Sequence, residues 1–301
     1  MSVQSPTARP PVRPPARRAD ALLVAATAIW GVSFVIVKEA LAGASPLAFL
    51  ALRFAIAAVV LAPFTDLRTS FSRAELRAGG LLTLLLASGF AAQAVGLQYT
   101  TPARSAFIVA LSSVLAPVVA VVALHHKPGW IVGAAVFLAG AGIYFLTGPG
   151  SGGLNRGDLL TLITAVVFGG QIVAVAELSR RHDARRLVWL QLAGTAVGVG
   201  IAALALEPVR VSGSLAVVGA LVFTGVGATA LALVWQMDAQ RHMSAARASL
   251  IFCLEPVFAA VASWVWLGER LSAGQWLGAG LILGGMVLAE VPQLRTRDPA
   301  L

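Results

Sequence analysis

Residues 245–271, AARASLIFCLEPVFAAVASWVWLGERL, decide the fold. From Ala248 to Leu267 nearly every side chain is apolar or small, and about 20 such residues at about 1.5 Å of helical rise match the roughly 30 Å hydrocarbon core of a bilayer. The stretch reads as a membrane-spanning helix. Glu255 interrupts it near the middle and is followed at once by Pro256. A proline inside a helix removes a backbone donor and crowds the preceding turn, so the helix is expected to kink or open where the carboxylate lies. An ionisable group at that depth costs about 3 kcal/mol on insertion scales. It belongs against a cavity, a partner or a water-filled path, with a plain hydrogen bond to a neighbouring helix as the alternative.

The rest of the chain shares this solvent. Of 301 residues, 58% are hydrophobic and 12% charged, and the mean hydropathy is +0.85. That is too little polar surface to cover a soluble globule, so the chain reads as an all-α integral membrane protein. The net charge of +9 brings nucleic acid to mind, but its basic residues lie between apolar runs rather than on one face with base-reading partners, and no nucleic-acid partner is expected. The single cysteine, Cys253, lies within the apolar stretch and excludes an internal disulfide and a cysteine-based metal site.

Taken in order, residues 1–19 form a Pro- and Arg-rich tail with no apolar signal core. Spans are expected at 21–37, 46–64, 79–98, 103–124 and 129–146. The linker TGPGSGGLNR, 147–156, follows, and then spans at 159–176, 187–206, 214–237, 245–267 and 275–291, ten in all, with a short tail from 292 to 301. Placing the amino terminus inside puts sixteen of the 22 Lys and Arg residues on that side and five on the other, with Arg53 within a helix. By the positive-inside rule both termini are expected on the cytoplasmic side of a cell inner membrane.

The halves repeat. Asp20, Trp30-Gly31 and Ser33 match Asp158, Phe168-Gly169 and Gln171 at an offset of 138. Gln93, Thr101, Arg104, Leu111 and Lys127 match Gln236, Ser244, Arg247, Leu254 and Arg270 at 143, and Gly129, Gly133 and Gly140 match Gly274, Gly278 and Gly285 at 145. With five spans per unit, 20–146 and 157–291, the second copy enters from the opposite side, an inverted repeat typical of secondary transporters that alternate access around a midplane site. The segments AIWGVSFVIVK, LALRF and LEPVFAAVASWVWLGERLSAGQWLGAGLILGG, together with the five-plus-five repeat, resemble the EamA-type exporters of the drug/metabolite transporter superfamily. The resemblance implies ten helices around a central cavity and export of small metabolites, with aromatic and other neutral amino acids favoured over a nucleobase, sugar or drug. It implies a lipid-embedded carrier that needs no cofactor and no oligomer. One departure is that Ser112-Ser113 stand where the second repeat has Glu255-Pro256, with the proline later, at Pro117.

Candidate substrate-binding residues are polar or aromatic and deep in a span. Gln93 with Gln236, Ser33 with Gln171 and Trp30 with Phe168 form pairs across the repeat. Phe34, Phe252, Ser112 and Glu255 complete the set, and Pro117 and Pro256 are candidate kinks. Arg53, two turns into its span, either pairs with a buried acceptor such as Glu255, snorkels to water, or docks a substrate carboxylate bidentately. His125 and His126 at a helix end lack further ligands at useful spacing, so no metal site is expected. Tyr99, Trp189 and Trp264 fit an interfacial aromatic belt. Close helix contact is expected at the small-residue spacings Gly129/Gly133, Gly194/Gly198, Gly274/Gly278 and Gly280/Gly284. An intramembrane enzyme lacks a deep histidine or a GxSxG serine, and a channel lacks a filter repeat. Cysteine accessibility is expected to place the loops at Ser70 and Asp183 on the cytoplasmic side and the linker at Gly152 on the other. Labelling of Gly152 and Asp183 from one side overturns the inverted arrangement.

Overall fold

The computed structural model describes residues 16–124, 130–148, 153–240 and 245–295. His125, His126, Gly129, Gly152 and the outer parts of both tails lie outside them. The described residues are mostly helical: α1 (Ala16–Ala40), α2 (Pro46–Leu61), α3 (Arg73–Leu97), α4 (Pro102–Leu124), α5 (Trp130–Thr147), α6 (Arg156–Leu178) and α7 (Ala184–Leu206) are followed by three consecutive segments. These are α8 (Leu215–Val222), a π-helix (Phe223–Leu231) and α9 (Ala232–Gln240). Then come α10 (Ala245–Phe252), α11 (Glu255–Leu267) and α12 (Ala273–Arg295). Among the described residues nine helical runs are long and apolar enough to cross a bilayer, and α12 adds a tenth helix.

Local chemistry sets the helix starts. Ser72 and Asn155 form capping boxes with Glu75 and Asp158, and Asp183 accepts from the amides of Arg185 and Arg186, which satisfies donors that a helix leaves orphaned. The ninth span divides as its Glu-Pro pair predicts: α10 stops at Phe252, Cys253 and Leu254 form a turn, and α11 restarts with Glu255 and Pro256 in its first turn. Pro117 has no such effect, since α4 runs on through it.

The halves pack by the same contacts. Gly31 of α1 lies so close to α11 that a Cβ there would stand 2.6 Å from Phe258 Cβ and 2.8 Å from the Ala259 amide. Its counterpart Gly169 of α6 meets Leu115 and Ala116 of α4, the counterparts of Phe258 and Ala259 at offset 143. Likewise Gly157 of α6 abuts the Gly96 carbonyl of α3, while Ala19 of α1 packs in one cluster with Ala239 of α9. Helices from different halves therefore pair reciprocally, as an internal two-fold axis requires.

α5 and α12 pack together beside this bundle, and here the glycine reading needs correction. Gly278 lies against the Gly142 carbonyl and Leu146, and Gly285 lies against the Ala135 carbonyl and Ala139. Gly133, Gly280 and Gly284 face open space, as does Gly198 beside Gly194. The contact follows Gly278, Ile282 and Gly285, an alternating four-then-three spacing, because two long helices meet along a shallow seam rather than at a strict four-residue stripe.

Polar ties hold the face at which α1 ends. Arg104 at the start of α4 forms a buried ion pair with Asp158 of α6 and donates to the Gly153 carbonyl at 2.9 Å. Asp158 also accepts from Thr100 at 2.6 Å and from the Asn155 amide at 3.0 Å. Lys38 donates to the carbonyls of Leu97, Gln98 and Thr100, and Glu207 accepts from the Ala48 amide. At the opposite face Arg186 gathers Glu75 and the carbonyls of Asp66, Thr69 and Ser70. Removing one partner of a buried ion pair leaves the other charge uncompensated, at about 3–5 kcal/mol. Asp158→Asn is expected to lower the melting temperature in detergent well below that of Thr100→Val, which loses one hydrogen bond of about 1 kcal/mol. Equal melting of the two variants overturns this weighting.

Candidate functional site

The π-helix is the hub of the interior. A π turn holds one residue more than an α turn and is found as short segments in helices at functional sites. Here the wider turn spans Gly225 and Gly227, and Gly225 sits against Ile56 and the Arg53 carbonyl of α2. It also presents polar atoms inward. The Thr229 hydroxyl donates to the Thr224 carbonyl at 2.8 Å and accepts from Arg53 Nε at 3.0 Å, while the Ala228 carbonyl accepts from Trp30 Nε1 at 2.7 Å. A buried cation and a half-buried indole are thereby fixed on adjacent residues of one turn.

Arg53 does not snorkel. It is 6% exposed, and its guanidinium lies 5.0 Å from the Phe90 ring centroid and 5.6 Å from that of Phe54, an arrangement that stabilises a cation over π faces. Only Nε is hydrogen-bonded among the described residues. Phe90 continues the wall, edge-on to Phe54 at 5.0 Å and to Phe168 at 5.1 Å. Phe168 in turn covers Gly89, where a Cβ would stand 2.3 Å from its ring.

The backbone of Glu255 lies against Gly31, the residue after Trp30. The Trp30 ring meets Phe252, the last residue before the helix break, at 5.8 Å, and the neighbouring Gly31 packs close to the Glu255 carbonyl. The Glu255 side chain is partly exposed, and among the described residues no group hydrogen-bonds or ion-pairs with it. Its place in the first turn of α11 is favourable for a carboxylate, since the helix dipole is positive there. Arg53 and Glu255 form no ion pair. Trp30 touches both the π turn, through the Ala228 carbonyl, and the end of α10, through Phe252.

The remaining candidates divide. Ser33 is buried and donates to the Trp30 carbonyl at 2.7 Å, which orders α1. Phe34 packs with Ala106 and Ala259 between α4 and α11, a helix contact. Ser112 is buried on α4. Gln93 and Gln236 are partly buried with no hydrogen bond to the protein among the described residues, and none joins them to each other. Gln171 donates to Gln191 of α7 at 2.9 Å. Trp189 donates to the Ala58 carbonyl and stacks on Phe71, so it is tied between α2 and α7, whereas Tyr99 and Trp264 are exposed at their ends as an aromatic belt requires.

Phe90, Thr229 and Gln191 stand in this interior without having been singled out in the sequence. For Gln191 a signal existed, because it stands 138 residues after Arg53, the offset that aligns Pro46 of α2 with Ala184 of α7. Thr229 and Phe90 have apolar counterparts in the other half, Leu86 and Leu233, and carried no such mark. Among the described residues no group of three His, Cys, Asp or Glu side chains is placed to hold a metal.

Comparison with known proteins agrees with this architecture. The profile of the EamA-like transporter family matches twice, over residues 17–148 and 155–290. An "Uncharacterized transporter" of Archaeoglobus fulgidus is 32% identical over 91% of this chain and 86% of its own. A "Probable terminal-alkyne amino-acid exporter" of Streptantibioticus cattleyicolor is 27% identical over 92% and 95%. A solved crystal structure, 18% identical, superposes with a TM-score of 0.65 over 93% of this chain and 99% of that one, which speaks for the fold alone. A doubled five-helix unit, matched in each half by one family profile, makes the chain a member of the EamA-like transporter family of multi-pass membrane carriers.

Proposed function

We propose that this transporter exports neutral amino acids, aromatic ones favoured, across the cell inner membrane by alternating access, with both termini in the cytoplasm. The observation that carries the reading is that Arg53 and Glu255 do not pair: among the described residues the buried guanidinium is hydrogen-bonded only through Nε, and the carboxylate has no hydrogen-bond or ion-pair partner. A zwitterion is the ligand that answers both charges at once. Its carboxylate meets the guanidinium fork, its ammonium meets Glu255, and both contacts are charge-assisted hydrogen bonds. Trp30, Phe252, Phe90 and Phe168 offer π faces to an aromatic side chain. The amino-acid exporter among the relatives supports the same substrate class.

Movement follows from the break at Cys253–Leu254. A helix in two pieces has a point about which one piece tilts without breaking a full ladder of hydrogen bonds, and Glu255 sits at that point. Binding of the substrate's ammonium there couples occupancy to the position of α11 against α1. Alternating access then requires only that the two states differ in how well they hold the ligand.

The test is counterflow of radiolabelled amino acids in proteoliposomes, with nucleobases and sugars as competing solutes. Uptake of tryptophan, phenylalanine or leucine is expected, and uptake confined to the competing solutes overturns the reading. Glu255→Gln keeps shape but loses charge and is expected to weaken binding at least tenfold, the scale of a charge-assisted bond of about 1.5–3 kcal/mol. Retained binding with lost pH dependence in that variant indicates proton exchange instead. Gln93→Ala and Gln236→Ala are each expected to lower transport at near-normal expression, because among the described residues neither amide holds a hydrogen-bond partner whose loss would unfold the bundle.

A further inference from the structure

Three polar side chains on α6 and α7 lie in the interior without a complete set of partners. Gln171 is 9% exposed, Gln191 7% and Thr195 fully buried. One hydrogen bond, from Gln171 Nε2 to Gln191 Oε1 at 2.9 Å, joins the two amides. The Gln171 carbonyl oxygen and the Thr195 hydroxyl have no partner among the described residues. Whichever way round the two amides are read, a pair sharing one hydrogen bond keeps one free carbonyl. An unanswered acceptor is costly in a protein interior and more so at bilayer depth, where water does not answer it. Nothing about helix packing requires it, since leucine or methionine would fill the space.

The cluster's position assigns it a role. Gln191 is the two-fold counterpart of Arg53, and Gln171 is that of Ser33. Phe168, one turn before Gln171 on α6, touches Phe90, which lies on the Arg53 guanidinium. Thr195, one turn after Gln191, lies on the α7 stripe with Leu192 and Val199, which packs against Phe54 and Ala57 of α2. The amides thus stand beside the aromatic wall of Phe168 and Phe90 that reaches the Arg53 guanidinium.

We infer that Gln171, Gln191 and Thr195 form a side-chain subsite that selects substrates carrying a hydrogen-bond donor, such as a hydroxyl, amide or indole N–H. The inference rests on the amino-acid reading above. With the substrate's charged ends answered by Arg53 and Glu255, the free carbonyl is left to accept from the substrate's side chain. A site built to bond a donor rejects an analogue that lacks it, because its own polar group is then left unpaired.

Matched pairs in proteoliposomes test this: tyrosine against phenylalanine, threonine against valine, and tryptophan against 1-methyltryptophan. The wild-type protein is expected to favour the donor-bearing member about fivefold to tenfold in kcat/KM, the scale of one neutral hydrogen bond. In Thr195→Val the ratio is expected to fall, and in the double variant Gln171→Met/Gln191→Met to fall to about one. The ratio is internal to each variant, so slower turnover or lower yield does not disturb it, and Thr195→Val decides alone where the double variant does not fold. Equal transport of the pairs by the wild type, or a ratio unchanged in the variants, overturns the inference and leaves the amides to a resident water. Absence of all amino-acid transport instead overturns the reading on which it rests.

Discussion

Close approach of helices from opposite halves is the constraint on which the rest depends. Between membrane helices no hydrophobic difference from lipid drives association, so packing must come from surfaces that fit. Gly31 lets α1 meet α11 backbone to backbone, and Gly169 does the same for α6 and α4. A side chain at Gly31 would strike Phe258 and the Glu255 carbonyl together, which pushes apart the two helices that carry Trp30 and Glu255.

Once those contacts are made, the polar groups inside have few options. Water is scarce at that depth, so each donor or acceptor is answered by the chain or by a ligand. Arg53 finds Thr229 and two phenyl rings, and Trp30 finds the Ala228 carbonyl. Both depend on the π turn, which supplies the Ala228 carbonyl and the Thr229 hydroxyl. Glu255 finds no partner among the described residues, and the amide pair on α6 and α7 is only half satisfied. The ends of α4 and α6 are tied by the network around Arg104 and Asp158.

The two halves share a fold but not a charge pattern. Where the second half has Glu255-Pro256 and a broken helix, the first has Ser112-Ser113 in a continuous one. Where the first half has Arg53, the second has Gln191. Duplication supplies two matching frameworks, and the halves diverge at a few interior positions, Arg53 against Gln191 and Ser112 against Glu255.

Much of this was legible in the chain itself, for a definite reason. Span length, the positions of lysine and arginine, and offsets of 138, 143 and 145 are one-dimensional quantities, and a bilayer converts them directly into helices, their number and their inverted relation. The break near Glu255-Pro256 was legible too, because proline acts on its own turn. What only the tertiary structure decided is which way each helix faces. A helix turns about 100° per residue, so a neighbour's packing determines whether a side chain meets lipid, a backbone or a cavity. That rotation put Gly278 rather than Gly280 on α5, turned Phe34 into a helix contact, gave Arg53 to Thr229 instead of Glu255, and set Gln191 beside Gln171. The π turn belongs with these, since its extra residue is held by contacts from α1 and α2 that no local run of sequence encodes.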